Sequence, residues 1–148
     1  AIVLLTGGTI WAAVHDEEQP EHAVNGQETP GPDGGADVLI TLHDPDWAVD
    51  AEPTSFAAGP VGFSVENAGS LIHNFRVIST DLAQDALPLD DSGFEVDEAQ
   101  VDVVAELGEI TAGDIVPLMT ELAAGPYVLI CNIPTHYDAG MHTAFTVE

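Results

Sequence analysis

Near the C-terminus the chain reads Cys131-Asn132-Ile133-Pro134-Thr135-His136-Tyr137-Asp138-Ala139-Gly140-Met141, and Cys131 is the one cysteine among 148 residues. A histidine follows five positions after it and a methionine five positions after that. A thiolate, an imidazole and a thioether on one short loop form a soft donor set that suits copper better than other common metals. Taken singly, each has a blander reading: Cys131 as a buried inert thiol, His136 as a loop histidine and Met141 as a core side chain. A lone cysteine excludes an internal disulfide. Zinc would accept the same donors but has no redox chemistry.

A copper centre that only transfers electrons needs a thiolate, two neutral imidazoles in a trigonal plane and often a weak axial thioether. The loop lacks the second imidazole. Of the six histidines, His15 and His22 lie in an acidic stretch, His43 ends a strand pattern, and His142 opens the last strand. By strand alternation His142 points away from Met141. His73 is the best candidate, because it opens the apolar run His73-Asn74-Phe75-Arg76-Val77 well upstream of the loop. Asn74 is a polar residue in apolar surroundings, suited to a buried hydrogen bond.

The scaffold that positions these groups is legible as short strands. In Ala36–His43, Val38, Ile40 and Leu42 alternate with Leu39, Thr41 and His43, the pattern of a half-buried strand. Asp44-Pro45-Asp46 ends it, and Trp47 and Val49 are placed to cover the core. Val61, Phe63 and Val65 mark a strand that stops at Asn67-Ala68-Gly69, and another runs from about Leu71 to Ser79. Asp81–Glu98 is an acidic, turn-rich excursion with a short helical turn near its end. Val101, Val103 and Ala105 mark the next strand. Ile115 to Thr120 alternates around Pro117, as on a sheet edge or a bulge. Tyr127–Cys131 and His142–Val147 flank the loop. Many short strands separated by turns predict an all-β antiparallel sandwich or barrel, with a Greek-key β-sandwich as the natural closure.

Two segments precede this domain. Ala1–Val14 is apolar and broken by Gly7-Gly8, and reads as a terminal edge strand or as a strand donated to a neighbouring subunit. Residues 15–35 form an acidic, Pro/Gly-rich linker, so the division is 1–14, 15–35 and 36–148. The chain starts at Ala1, which fits removal of a leader, and the expectation is an exported protein, periplasmic, cell-surface or extracellular. No stretch reaches the length of a membrane span.

Charge narrows the partners. Twenty-six acidic residues stand against one basic residue, Arg76, for a formal net charge of −25 at pH 7. Such a surface repels nucleic acid and anionic membranes. It fits a high-salt setting, an acidic one, or basic partners or bound cations.

The run Gly125-Pro126-Tyr127-Val128-Leu129-Ile130-Cys131, the C-x4-H-x4-M spacing and His73-Asn74-Phe75 together resemble the cupredoxins, the blue copper proteins. The spacing is closer to the rusticyanin and sulfocyanin branch than to plastocyanin. The resemblance covers about residues 36–148. It implies a cupredoxin-like Greek-key sandwich holding one type 1 copper ion, with His73, Cys131 and His136 as equatorial ligands and Met141 as the axial one. It also implies that Asn74 braces the loop through a backbone hydrogen bond and that the amide of Asn132 helps hold the thiolate.

The expected function is a one-electron Cu(II)/Cu(I) carrier, not an enzyme. Its electron would leave through His136, ringed by Pro134, Tyr137, Ala139 and Gly140, towards a redox partner protein with a basic docking surface. The alternative is an extracellular structural protein, a homo-oligomer or filament joined by strand donation through residues 1–14. Copper storage or delivery fits less well, since it favours exposed, labile sites.

Overall fold

The computed structural model describes residues 36–148. The expectations for the segments 1–14 and 15–35, including strand donation, lie outside the described residues.

Nine strands and one short helix follow in the order β1 (Val38–His43), β2 (Ala48–Glu52), β3 (Ser55–Phe56), β4 (Gly59–Asn67), β5 (His73–Ser79), β6 (Asp102–Ile110), β7 (Ile115–Leu122), β8 (Gly125–Ile130), α1 (His136–Ala139) and β9 (His142–Val147). They form two sheets, β2-β1-β4-β7 and β3-β9-β8-β5-β6. The architecture is the expected Greek-key β-sandwich. Two pairs depart from an antiparallel pattern: β1 lies parallel to β4, and β3 parallel to β9. The reason is topological. Strand β3 leaves its sequence neighbours and joins the other sheet, so β4 returns beside β1 in the same direction.

Alternation explains the core. Val38, Ile40 and Leu42 of β1, and Val61, Phe63 and Val65 of β4, are buried while their neighbours on β1 face outward. Phe63 sits at the centre, edge-on to Phe75 at 5.9 Å and to Phe145 at 5.8 Å between ring centroids. Edge-to-face contacts of this kind add to the area buried by the rings. Strand β7 is an edge strand, as Pro117 indicates, with Ile115, Pro117 and Met119 turned outward.

Strand β8 behaves differently. Tyr127 to Ile130 are all buried, so both faces of this strand are covered. One face meets the inter-sheet core. The other carries Val128 and Ile130, which with Ile78 pack against Leu87, Val96 and Tyr137. The 81–98 excursion is therefore a cover for the outside of the five-stranded sheet. It is pinned by a bridge between Leu89 and Val96. The helical turn expected near its end is a single turn, with Gln100 N donating to Asp97 O. The helix of the described residues, α1, lies instead inside the Cys131–Met141 loop.

Candidate metal centre

His73, Cys131 and His136 converge at one end of the sandwich, all three buried. His73 comes from the first residue of β5, Cys131 from the residue after β8, and His136 from the start of α1. The two imidazoles present Nδ1 to each other at 3.2 Å. The thiol sulfur lies 3.5 Å from Nδ1 of His136 and 3.7 Å from Nδ1 of His73. These sides enclose a point about 2.0 Å from every corner, the length of an ordinary metal–imidazole bond and slightly short of a metal–thiolate bond. The donor set and its spacing thus fit a single metal ion. Met141 is fully buried in the same core cluster as Cys131.

The loop is shaped to bring its residues back to one place. Cys131 N donates to Met141 O at 3.1 Å, and Met141 N to His136 O at 3.1 Å, which closes the loop on itself. Thr135 enters α1 in the left-handed region with φ 76°, and its N–H is held by Phe94 O at 2.8 Å. Gly140 leaves the helix at φ 126°, and a Cβ there would stand 2.8 Å from the carbonyl oxygen of Trp47. Both the backbone conformation and the close approach require glycine.

Asn74 braces the loop as expected. Its side-chain oxygen accepts from Asn132 N at 2.6 Å, and its own N–H points at Cys131 Sγ at 3.4 Å. The amide of Asn132 does not hold the thiol. Its backbone N–H is taken by Asn74, and its side chain bonds Val96 on both backbone groups and Glu98, tying the loop to the 81–98 cover. Tyr137 is not on a rim either. It is 5 % exposed, and its hydroxyl donates to Gln84 O and accepts from Leu87 N.

On the other side, the residues just before His73 are clamped twice. Buried Asn67 donates to Leu71 O and Ile110 O and accepts from Gly69 N. Asp44, from the β1–β2 turn, accepts from Ser70 N at 2.7 Å, Leu71 N at 3.0 Å and Ser70 Oγ at 2.7 Å, and contacts His73 Nε2 at 3.1 Å. Hydrogen bonds from the Leu71 amide first, and then from the Ser70 hydroxyl, hold the Asp44 carboxyl well below the usual carboxylate range. Neither Asp44 nor the clamp was legible in the sequence, where Asp44 reads only as a strand-ending turn residue. Trp47, in the same turn, lies against His136 with ring centroids 4.8 Å apart.

Burial sets the protonation states. It pushes the Cys131 thiol up, against the opposing hydrogen bond from Asn74, and pushes the His136 imidazole down. Neutral imidazoles are the form that ligates a metal, whereas the thiol must give up its proton.

The remaining histidines fall elsewhere. His43 pairs with Asp50 at 3.0 Å, and His142 packs on Tyr137 with centroids 5.2 Å apart. His15 and His22 lie outside the described residues. Arg76 is spent internally on Glu98, Glu106 and two backbone carbonyls.

No family model matches the sequence, and no curated protein matches it. Solved structures do. Reduced auracyanin from the photosynthetic bacterium Roseiflexus castenholzii is 21% identical, with 77% of this chain and 99% of that one covered at a TM-score of 0.52. Rusticyanin from Thiobacillus ferrooxidans is 18% identical over 75% of each chain at 0.51. An azurin from Methylomonas sp. strain J is 15% identical, covering 78% of this chain and 99% of that one at 0.53. With its Greek-key sandwich and its His–Cys–His cluster at one end, the protein has the cupredoxin fold.

Proposed function

We propose that this protein is a type 1 copper electron-transfer protein, a one-electron carrier and not an enzyme. The observation that carries the reading is the buried triangle of two imidazole Nδ1 atoms and one thiol sulfur, with sides of 3.2, 3.5 and 3.7 Å. When bound, copper supplies a one-electron Cu(II)/Cu(I) couple. His73, Cys131, His136 and Met141 are the residues that would hold it.

The protein's own part is to hold these groups still and keep water out. Cys131, His73 and Met141 have no exposed surface, and the hydrogen bonds of Asp44 and Asn74 fix the approach of β5 and of the Cys loop. Rigid donors limit the rearrangement that accompanies a change of charge at the metal. With no position left open for a substrate, the site carries electrons and performs no further chemistry.

His136 is the exit. It is 7 % exposed where His73 is fully buried, and Pro134, Thr135 and Ala139 of its loop are exposed. With Arg76 engaged by its own carboxylates, the charge available for docking is negative, which favours a partner protein with a basic surface. Such docking weakens as salt rises.

Loading the protein with Cu(II) tests the reading. An intense thiolate-to-copper band near the red end of the visible spectrum is expected, reversibly bleached by one electron per chain. A colourless Cu(II)-loaded protein would sink it.

A further inference from the structure

We propose that Asp44 is a positioning residue for the metal centre: it holds His73 in the tautomer that offers Nδ1 inward, and its negative charge lowers the reduction potential of the bound ion. The inference rests on the reading of the site as a copper centre.

Oδ2 of Asp44 lies within hydrogen-bond reach of two backbone amides, Ser70 N and Leu71 N, and of His73 Nε2. Amides can only donate, so Oδ2 is an acceptor, and Nε2 must carry a proton to bond with it. A neutral imidazole has one N–H, and the other nitrogen, Nδ1, is then bare. That nitrogen is the one facing Cys131 Sγ and His136 Nδ1.

The carboxylate is built in rather than incidental. Its side chain is 5 % exposed, and that of His73 is 0 % exposed. Ser70 Oγ takes the second oxygen at 2.7 Å. Gly69 makes room for it, since a Cβ at that position would overlap Oδ2. The turn after β1 and the turn before β5 thus form a cradle with a carboxylate at its centre and the outer nitrogen of a ligand on its rim. A carboxylate behind a ligating imidazole fixes the ring and raises its basicity. A stronger donor favours the more highly charged ion, Cu(II) over Cu(I). His136 has no such partner among the described residues. Its side-chain contacts there are His73, Cys131 and the Trp47 ring.

The test compares the wild-type chain with Asp44→Asn. Asparagine keeps the shape: its oxygen accepts from the two amides and from Nε2–H, and its NH2 donates to Ser70 Oγ. Only the charge is lost. In a potentiometric titration of the copper-loaded proteins, the variant should keep its red-end band and favour Cu(I) about tenfold more than the wild type, a rise of about 59 mV for a one-electron couple. An unchanged or lower potential in a folded, blue variant would overturn the proposal.

A second arm needs neither copper nor a substitution. At a pH where the His73 ring is neutral, nitrogen-15 NMR of the metal-free wild-type protein should show its proton on Nε2 and Nδ1 bare. A proton on Nδ1 would overturn the proposal, and this arm decides if Asp44→Asn does not fold. A wild-type protein that shows no band with Cu(II) would refute the copper reading, while the His73 tautomer would still report on Asp44.

Discussion

His73 and His136 offer the same atom to the same point, yet they are held in opposite ways. His73 is fully buried, and its outer nitrogen is bound to a carboxylate anchored by two turns. His136 is 7 % exposed, sits on a four-residue helix, and is backed by the half-buried ring of Trp47. One side of the site is locked by hydrogen bonds to the sheets. The other is a loop closed on itself at the surface. Rigidity and access are thereby assigned to different histidines, which is what an electron-transfer centre of the proposed kind needs.

Cys131 belongs to both sides, so its removal should have the largest effect. Cys131→Ser is expected to abolish the red-end band and to weaken Cu(II) binding by more than the roughly hundredfold loss typical of residues one step removed from a metal. A competition titration with a chelator measures this. A retained band would mean that sulfur is not a ligand.

Gly69→Ala strikes the locked side alone. The added Cβ collides with Asp44 Oδ2, so the cradle must open at a cost of about 3 kcal/mol. Thermal or urea unfolding should show that loss. Unaltered stability would mean that the cradle yields easily and that the contrast with the His136 side is overdrawn.

Asn74→Ala cuts the link between the sides, leaving the buried Asn132 N–H without its acceptor at 2.6 Å. Unfolding should show a loss of about 2 kcal/mol. Copper binding should slow or weaken without loss of the band, because no ligand is removed.

The pH dependence of metal uptake follows from the thiol. Burial raises the folded pKa of Cys131 above its ordinary value of 9.0, so at neutral pH the metal-free site holds a protonated thiol. Binding must release that proton, and affinity should fall about tenfold, or about 1.4 kcal/mol, for each unit of pH lowered around neutrality. The same shift predicts that the metal-free protein is stabilised below pH 9.0 and loses that contribution as pH rises through the folded pKa. Titrations between pH 6 and 8 should show one proton released per copper, and none released would mean a thiolate already present.

Trp47→Ala should be the mildest change, about 1 kcal/mol from the lost ring contact. Its use is diagnostic: electron exchange with a partner should change while the potential measured for the bound copper moves little. A large shift of potential would place Trp47 in the locked set instead.

The ligand candidates were legible because their types are rare and their spacing is short. One cysteine, with a histidine and a methionine on the same loop, restricts the chemistry before any fold is known. His73 could be chosen because it opens a strand and precedes Asn74, and the structure brings its ring to the cluster. The strands were legible by alternation in β1, β4 and β7, where one face is more buried than the other. Alternation fails in β8, where residues 127–130 are all buried, and the sequence gives no sign that the 81–98 excursion covers its outer face. Tyr137 was misread for the same reason, since a loop tyrosine looks exposed until its cover is known.

Sequence alone thus determined the donor chemistry, the all-β pattern and the acidic surface, because each depends on residue identity or on contacts between near neighbours. The tertiary structure decided the rest. Asp44 reaches His73 across 29 positions and Ser70 across 26, and Asn74 reaches Cys131 across 57. Hydrogen bonds over such separations leave no periodic trace in the chain. The Asp44 bonds exist because folding lays the turn after β1 against the turn before β5, and the Asn74 contact because β5 pairs with β8.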